Sequence, residues 1–380
     1  MPQKVGLQLP HGMRDLLPGD TKLIRDLENL FVDRFSRWGY FEVITPVLEY
    51  YENLLPAETP EDQFFKLIDR EGQILAMRTD MTTPIARMVA AKMGKEQFPF
   101  RVFYLANVFR YEHPQRGRQR EFFQAGVELI GDPAPTADAE VIALAVECLK
   151  EAGLEDFQIS IGQVNFLKGI IDSMEVDSAI KDKITWAVSR KDFVELEMFL
   201  NKQRIDPGFK KLILSLPALR GGVQVIDQVL PLTENITARE ALENLREVFH
   251  LLEVYGVGKE VFVDFGIMRD FDYYSGIVFE GYSPGVGAPI CGGGRYDRML
   301  GKYGLDAPAT GFAIGMERLM LALEAEHQVD RLIAVDYLVV SSDPAQAVRK
   351  AQELRQQGFS VLVAGQGQDL PVAARKKLEL

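Results

Sequence analysis

The chain has 380 residues, of which 47% are hydrophobic and 26% charged, so it can bury a large core and form two or more domains. Its formal net charge of −12 argues against a dedicated nucleic-acid-binding protein, which usually carries a basic surface. No apolar run reaches the ~18 residues of a membrane span, and the N-terminus lacks the hydrophobic region of a signal peptide.

The number and spacing of cysteines and histidines indicate the cellular compartment and whether a metal site is expected. Cys148 and Cys291 form no CxxC pair, and the four histidines show no metal-ligand spacing. This pattern is typical of a reducing compartment and argues against a structural zinc site. We therefore expect a cytoplasmic protein without a metal or other cofactor, in which Cys148 packs as a small hydrophobe on a helix over residues 136–152.

The N-terminal region begins with an amphipathic helix. Apolar residues recur at helical spacing over residues 20–38, Gly39 ends the helix, and residues 41–46 predict a strand that stops at Pro46. Such a helix and strand can form a dimer interface, or the helix can pack on its own domain. The pattern alone leaves both interpretations open.

A β-hairpin follows, predicted over residues 64–69 and 74–78 with Gly72 in its turn. Its second strand leads to Asp80 and Thr82, at the start of a helix over residues 83–93. Either side chain could simply cap that helix, or the two could hold the ammonium group of a ligand.

Two long strands are predicted over residues 100–112 and 122–131. Alternation places Arg110 and Glu112 on one face of the first strand, and Gln124 and Glu128 on the polar face of the second. That polar face could meet solvent or, beneath covering helices, line a cavity. After a strand at residues 157–162, residues 164–255 are mainly helical and indicate an inserted subdomain.

The stretch R-D-F-D-Y-Y-S-G-I-V-F-E, from Arg269 to Glu280, sets polar side chains among residues typical of a sheet. Strand alternation would place Asp272, Tyr274 and Glu280 on one face. The glycine-rich passage C-G-G-G-R-Y-D follows at residues 291–297. Because burying such polar groups is costly unless something pairs with them, the stretch predicts a site for a small polar ligand.

The C-terminal part changes character. Residues 309–323 predict a glycine-bracketed strand that runs into a helix carrying Arg318. Residues 336–364 predict one β-α-β unit, which is too small for a complete domain, and the start of another helix is expected after it.

Together these segments resemble the catalytic fold of the class II aminoacyl-tRNA synthetases, and specifically the histidyl branch. The opening helix with V-I-T-P resembles motif 1, F-R-Y-E-H-P-Q-R-G-R-Q-R-E-F-F-Q resembles motif 2, and G-F-A-I-G-M-E-R-L resembles motif 3. The passages R-D-F-D-Y-Y and C-G-G-G-R-Y-D resemble the histidine-recognition signatures. The resemblance covers about residues 8–325.

This resemblance implies an α+β fold in which an antiparallel sheet is flanked by helices. The class II synthetase-like, histidine-binding domain would span residues 1–325, with the helical insertion at about 164–255. Residues 333–380 would form a short α/β remnant, equivalent to about half of an anticodon-binding domain.

The family includes two very different functions. One is histidyl-tRNA synthetase. The other is the non-catalytic regulatory subunit of ATP phosphoribosyltransferase, which is needed by a short catalytic subunit for the first step of L-histidine biosynthesis and for feedback inhibition by histidine. A free-standing histidine sensor is a third, remote alternative.

Three departures from the synthetase pattern favour the regulatory subunit. The tail is short, R-T-D-M-T at Arg78–Thr82 replaces the R-P-E-G-T of synthetases, and Asp270 replaces a glycine beside Arg269. Asp270 would add negative charge where ATP phosphates pass, which disfavours adenylation. In favour of the synthetase, Arg110 and Arg318 match the synthetase arginines that hold ATP.

The same resemblance implies the partners. They are the short-form catalytic subunit, L-histidine as effector, and a second copy of this chain, which would pair through the motif-1-like helix and strand. A hetero-octamer with the catalytic subunit is expected, whereas tRNA and membrane are not.

The resemblance also implies how histidine would lie across the sheet. Asp80 and Thr82 would take its ammonium group with Gln124 nearby, and Arg110 or Arg269 would face its carboxylate.

Glu128 and Tyr274, with Tyr273 close by, would read the imidazole, which needs both a donor and an acceptor. The loop from Ser283 to Pro289 borders these signatures and is a candidate for the element that moves. No residue is assigned a catalytic role. The predicted histidine site consists of Asp80, Thr82, Arg110, Gln124, Glu128, Arg269, Tyr273 and Tyr274.

Overall fold

The structure, a computed structural model, describes residues 7–57, 59–94, 96–112, 119–190, 192–267, 273–327, 334–366, 368 and 373–380. Contacts between Cα atoms divide the chain into two compact units. One holds the described residues of Met1–Arg14 and Leu27–Gln328, and the other those of Asp15–Asp26 and Val329–Leu380. No helix among the described residues is both long and apolar enough to cross a membrane.

The described helices and strands occur in the following order along the chain. Up to residue 163 they are α1 (Pro18–Arg37), β1 (Phe41–Glu42), β2 (Leu48–Tyr50), α2 (Tyr51–Leu54), β3 (Lys66–Ile68), β4 (Ile74–Met77), α3 (Thr82–Lys92), β5 (Phe100–Phe109), β6 (Glu121–Ile130), α4 (Pro135–Glu151) and β7 (Gln158–Gln163). The next are α5 (Val164–Asp172), α6 (Ser178–Ser189), α7 (Phe193–Leu200), α8 (Pro207–Ser215), β8 (Arg220–Gly221), α9 (Gln224–Val229) and α10 (Ile236–Val254). The last are β9 (Val261–Asp264), β10 (Ile277–Tyr282), β11 (Cys291–Arg295), β12 (Ala309–Gly315), α11 (Met316–Glu326), β13 (Ala334–Val340), α12 (Pro344–Gln356), β14 (Val361–Ala364) and β15 (Ala373–Glu379).

A nine-stranded sheet forms the centre of the first unit within the described residues, in the order β1-β5-β6-β12-β11-β10-β7-β9-β8. Its central strands are antiparallel, whereas β1 pairs with β5, and β7 with β9, in parallel. A smaller sheet, β2-β4-β3, contains the hairpin predicted from the sequence. The fold is therefore α+β, as expected.

The two faces of the central sheet differ in polarity because side chains alternate along each strand. On β6, Val127 and Leu129 are fully buried. Helix α4 packs near β12 and β6 and buries most of its length, including the free thiol of Cys148. Burial raises the pKa of Cys148 well above its ordinary value, so this thiol behaves as the small hydrophobe predicted.

Several predicted strand limits are wrong. The strand expected over residues 41–46 ends at Glu42, and further on the guanidinium of Arg78 donates to the carbonyl oxygen of Thr45 at 2.8 Å. The strand expected over residues 100–112 ends at Phe109, so Arg110 lies just beyond it. There the backbone N–H of Arg110 donates to the carbonyl of Arg120 at 2.9 Å.

The strand alternation expected for Tyr274 is also wrong, because β10 begins only at Ile277. The backbone ahead of β10 is held by contacts outside a ladder. The N–H of Ser275 donates to Arg295 O at 2.8 Å, and its hydroxyl accepts from the N–H of Asp297 at 2.8 Å. Phe271 and Asp272 lie outside the described residues.

The second unit contains a three-stranded parallel sheet in the order β14-β13-β15. Helix α12 buries Ala347, Ala351 and Leu354 against Val339 and Val361. The β-α-β prediction is confirmed, but the helix expected after it is wrong. Strand β15 occupies that place because it pairs with β13 along most of its length, a contact that local sequence cannot report.

Candidate functional site

A cavity of about 610 Å³ lies over the polar face of the central sheet. This volume is within the range of small-molecule sites. The cavity settles one alternative left open by the sequence, because the polar face of β6 lines a pocket. Seven of the eight predicted site residues line it, namely Asp80, Thr82, Arg110, Gln124, Glu128, Tyr273 and Tyr274.

The eighth predicted residue, Arg269, lies outside the described residues, as do Asp270 beside it and residues 113–118 of the motif-2-like loop. The contribution of Arg269 to the site therefore stays a prediction. Arg110 is the predicted carboxylate partner that the structure places in the pocket.

Asp80, in the turn between β4 and α3, and Thr82, the first residue of α3, both line the pocket. Asp80 Oδ1 accepts from the backbone N–H of Thr83 at 2.8 Å, so it caps α3 while its side chain also lines the pocket. Thr82 Oγ1 donates to Glu128 Oε1 at 2.8 Å. Asp80 therefore caps α3 and also lines the pocket, while its contact with a ligand ammonium group stays a prediction.

Glu128 is the most deeply buried acid of the site, with 1% of its surface exposed. Its two oxygens accept hydrogen bonds from Thr82 Oγ1 and from the hydroxyl of Tyr296. Burial raises the pKa of Glu128 to about 8, although the two hydroxyl donors pull it down and nearby Asp80 pushes it up. The group is therefore mainly protonated at neutral pH.

Three tyrosine rings make a continuous wall beside Glu128. The Tyr273 and Tyr274 rings meet edge to face at 4.8 Å between centroids, and Tyr273 lies 5.8 Å from Tyr296. Burial raises the pKa values of Tyr273 and Tyr296 well above the ordinary value, so both remain neutral donors and acceptors.

Glycines on the central strands make the room that these side chains occupy. Gly311 is the register partner of Glu128, and a Cβ atom at Gly311 would lie 2.0 Å from Glu128 Oε2. Likewise, a Cβ atom at Gly126 would lie 2.5 Å from the hydroxyl of Tyr104. The pocket therefore depends on the absence of side chains at these positions.

The rest of the pocket offers a hydrogen-bond acceptor, the side-chain oxygen of Gln124, and two cations, Arg110 and Arg318. Gln124 Oε1 is buried and has no hydrogen-bond partner within the described part of the chain, so a ligand donor could satisfy it. Arg110 Nε donates to Thr79 O at 2.8 Å, and its guanidinium lies 5.7 Å from the centroid of the Phe122 ring. Arg318 also lines the pocket and donates to Pro289 O at 2.8 Å.

The sequence-based prediction missed Tyr296. This tyrosine lies in C-G-G-G-R-Y-D and follows β11, which lies two strands from β6 in the sheet. The signal available was a tyrosine directly after a glycine-rich strand. Its partner, however, is 168 residues away in sequence. Only the fold brings the two side chains together.

Sequence comparison identifies the family. A family model described as "Histidyl-tRNA synthetase" matches residues 12–319. The chain is 45% identical over 359 residues to the "ATP phosphoribosyltransferase regulatory subunit" of Desulforamulus reducens, covering 94% of this chain and 90% of that protein. It is 42% identical over 379 residues to the protein of the same name from Moorella thermoacetica, covering 99% and 97%.

Solved structures agree with this assignment. An ATP phosphoribosyltransferase regulatory subunit/histidyl-tRNA synthetase from Bacillus halodurans C superposes with a TM-score of 0.89 at 32% identity, covering 99% of both chains. Histidyl-tRNA synthetase from Nostoc sp. PCC 7120 superposes with a TM-score of 0.83 at 24% identity, covering 97% of this chain and 88% of that one, and shows the shared fold. The chain therefore belongs to the family of ATP phosphoribosyltransferase regulatory subunits, which has the class II fold of the histidyl-tRNA synthetases.

Proposed function

We propose that this chain is a non-catalytic subunit that binds L-histidine in the pocket over the central sheet and conveys feedback inhibition to a short-form ATP phosphoribosyltransferase. Family membership supports the regulatory role. The observation that supports histidine as the ligand is that five polar residues predicted to contact it line one pocket: Asp80, Thr82, Gln124, Glu128 and Tyr274.

These groups match the polar atoms of histidine. The carboxylate of Asp80 and the unsatisfied oxygen of Gln124 are acceptors suited to an ammonium group. Arg110 is suited to a carboxylate, because its guanidinium retains donors beyond the one used by Thr79 O. Glu128 and Tyr274 are the proposed readers of the imidazole.

Regulation requires that histidine bind one arrangement of the complex more tightly than another. The loop from Ser283 to Pro289 remains the proposed moving element. Its last residue lines the pocket, and the carbonyl of Pro289 is held by Arg318. A ligand that contacts this wall could therefore change the position of the loop.

The proposed self-dimer uses the motif-1-like helix and strand, and the proposed assembly with the catalytic subunit is a hetero-octamer. Strand β1 lies at an edge of the central sheet and exposes Phe41, of which 75% is accessible. Ile44, just after it, is 84% exposed. Large apolar side chains at a sheet edge favour burial against a second copy.

The alternative function is histidyl-tRNA synthetase. It is favoured by Arg110 and Arg318, which line the same pocket and match the ATP-holding arginines of that family. The two functions give different products, so measuring product formation distinguishes them.

The test mixes the chain with a short-form catalytic subunit and measures phosphoribosyl-ATP formation with and without histidine. We expect formation to require both proteins and to fall when histidine is added. Formation of histidyl-tRNA by this chain alone would instead establish the alternative.

Site variants then test the pocket. Glu128→Ala should weaken inhibition by histidine at least tenfold, and so should Asp80→Asn, which keeps an oxygen to cap α3 but removes the charge. Glu197→Ala, an exposed acid on α7, is the matched control and should leave inhibition unchanged. Unaltered inhibition in both pocket variants would show that histidine binds elsewhere.

A further inference from the structure

Glu128 occupies an unusual electrostatic position within the pocket. Its donors, Thr82 and Tyr296, are neutral hydroxyls, which orient a carboxyl group but do not balance a full negative charge. Both oxygens are already held, so the carboxyl plane is fixed before a ligand arrives. The site thus presents a carboxyl group with a fixed orientation, and a bound ligand can determine whether this group is protonated or ionised.

The surroundings favour the neutral form of that group. Burial is the largest influence on Glu128, and Asp80 adds a further negative charge nearby. The titratable groups that interact with Glu128 are Asp80 ahead of α3, Tyr40 ahead of β1, Tyr104 on β5, Tyr273 ahead of β10 and Tyr296 after β11. Arg110 after β5 and Tyr274 ahead of β10 act in turn on Tyr104. Among these described groups the single cation is Arg110, which is engaged with Thr79 O.

A neutral carboxyl group complements a neutral imidazole. The carboxyl offers one O–H donor and one acceptor, and the imidazole offers one N–H donor and one acceptor nitrogen. An ionised carboxylate offers acceptors alone and would suit an imidazolium. In both pairings, the carboxyl and the ring together hold the same number of acidic protons, so one proton can lie on either partner.

We propose that Glu128 and the imidazole of the effector share this one proton, and that Tyr296 is the positioning residue that holds Glu128 for it. The inference rests on the proposed binding of histidine in this pocket. It adds a specificity-determining role for Tyr296 and a pH range in which the effector binds best.

Tyr296 suits this role through its hydroxyl and through its ring. The hydroxyl donates to Glu128 Oε2. The ring lies against Tyr273, which in turn meets Tyr274, the proposed second reader of the imidazole. Tyr296 therefore links the orientations of the two groups that would contact opposite edges of the imidazole.

Proton linkage follows from the shared proton. Near pH ~7, free protein and free histidine already supply it between them, so binding exchanges almost no proton with solvent. Above about pH 8 Glu128 is ionised before binding, so binding must take up a proton and affinity falls, approaching about tenfold per pH unit. Below about pH 6 the imidazole is already charged, so binding must release a proton.

Calorimetric titration of the full-length chain with L-histidine tests this, in pairs of buffers that differ in ionisation enthalpy, from about pH 5.5 to 8.5. We expect proton uptake near zero at neutral pH that rises towards one proton per histidine at the alkaline end. Glu128→Gln cannot ionise, so it should lose this alkaline uptake. Equal uptake in the parent chain and in Glu128→Gln would overturn the inference.

Tyr296→Phe tests the positioning role. The Tyr296 hydrogen bond lowers the pKa of Glu128, so its loss should move the alkaline uptake to higher pH while weakening binding at neutral pH. Tyr303→Phe removes a partly buried phenol that donates to Asn53 O at 2.6 Å outside the pocket, and it should leave the pH profile unchanged. An unshifted profile in Tyr296→Phe would refute its role.

A second measurement needs only the parent chain, so it tests the proposal even if the variants fail to fold. Infrared difference spectra of the parent chain with and without histidine should show a change in the carbonyl band of a protonated carboxyl near neutral pH. No change in that band, with histidine bound, would contradict the shared proton. No heat and no spectral change at any pH would instead refute histidine binding itself, so the two failures are distinct.

Discussion

Two buried carboxyl groups, Glu128 and Asp138, differ in how their charge is balanced. Asp138 accepts from Arg295 Nε at 3.0 and 3.1 Å, and both side chains are buried. Burial raises the pKa of Asp138 to about 6, and the arginine opposes this rise. Glu128 has neutral hydroxyl partners instead. Asp138 is thus a fixed structural anion, whereas Glu128 is an adjustable group.

Removing the partner of the fixed anion should be costly. Arg295→Met leaves Asp138 buried without its cation and removes the donor to Asp132 O at 3.1 Å, so we expect a loss of ~3–5 kcal/mol in the free energy of unfolding. Urea denaturation measures it. Arg246→Met, which breaks an exposed pair with Asp227, should lose less than about 1 kcal/mol. Similar losses in both variants would contradict this contrast.

The adjustable group should make stability depend on pH. The folded pKa of Glu128, about 8, lies above its ordinary value of 4.5, so the folded state binds the proton more tightly. Its contribution to stability is therefore complete below the ordinary pKa and is lost as pH rises towards 8. In this window the slope is about −1.4 kcal/mol per pH unit at most.

Urea denaturation of the parent chain and of Glu128→Gln at about pH 6.5 and 7.5 isolates this term, because all other groups are shared. We expect the parent chain to lose about 1 kcal/mol more than the variant between the two pH values. Parallel losses would show that Glu128 is ionised throughout.

At the scale of the elements, the site depends on strands that approach closely without side chains. Gly311 on β12 faces Glu128 on β6, and Gly293 on β11 lies beside β12, where a Cβ atom would meet Gly311 O at 2.1 Å. Glycine weakens a strand by itself. The close packing around Glu128 explains why glycine nevertheless occupies these strand positions.

Gly311→Ala should therefore affect binding and stability together. The added methyl would collide with Glu128 and with Val127 O, so we expect ~1–3 kcal/mol of destabilisation and at least tenfold weaker histidine binding. Calorimetry and urea denaturation measure the two effects. Gly301→Ala, where a Cβ atom has no neighbour within 4 Å, is the control. Unchanged binding in Gly311→Ala would disprove the spatial requirement.

Another link between elements runs from the pocket to the edge of the sheet. Arg78 is buried and donates to Thr45 O at 2.8 Å and to Asn107 O at 2.9 Å. It therefore fastens the segment after β1 to β5, and Asp80 of the pocket follows two residues later. This connection gives a physical route by which the proposed dimer edge and the proposed effector site could influence each other.

At the scale of the whole molecule, the apolar edge should control self-association. A charge at Ile44 would face its symmetry mate or a nearby apolar surface in a two-fold dimer, so Ile44→Glu should weaken dimerisation at least tenfold. Sedimentation velocity over a range of concentrations measures it. Val254→Glu, at an exposed site on α10, should not change it. A dimer unaffected by Ile44→Glu would place the interface elsewhere.

Much of this protein could be read from local sequence, because periodicity and turn residues act over a few positions. The helices α1, α3 and α4, the strands β5 and β6, and the order of the family motifs were all predictable on that basis. So was the polar face of β6, since alternation alone puts Gln124 and Glu128 on one side.

Other features were decided by contacts between distant segments. The hydroxyl of Tyr296 donates to Glu128, 168 residues away in sequence. Arg78 donates to the carbonyl of Thr45, 33 residues away, and β15 forms a strand by pairing with β13. Local sequence and motif order were enough to recognise the family and to predict seven of the residues that line the pocket. The tertiary structure alone decided which of them hold one another and how deeply Glu128 is buried, because hydrogen-bond partners and desolvation depend on the whole fold.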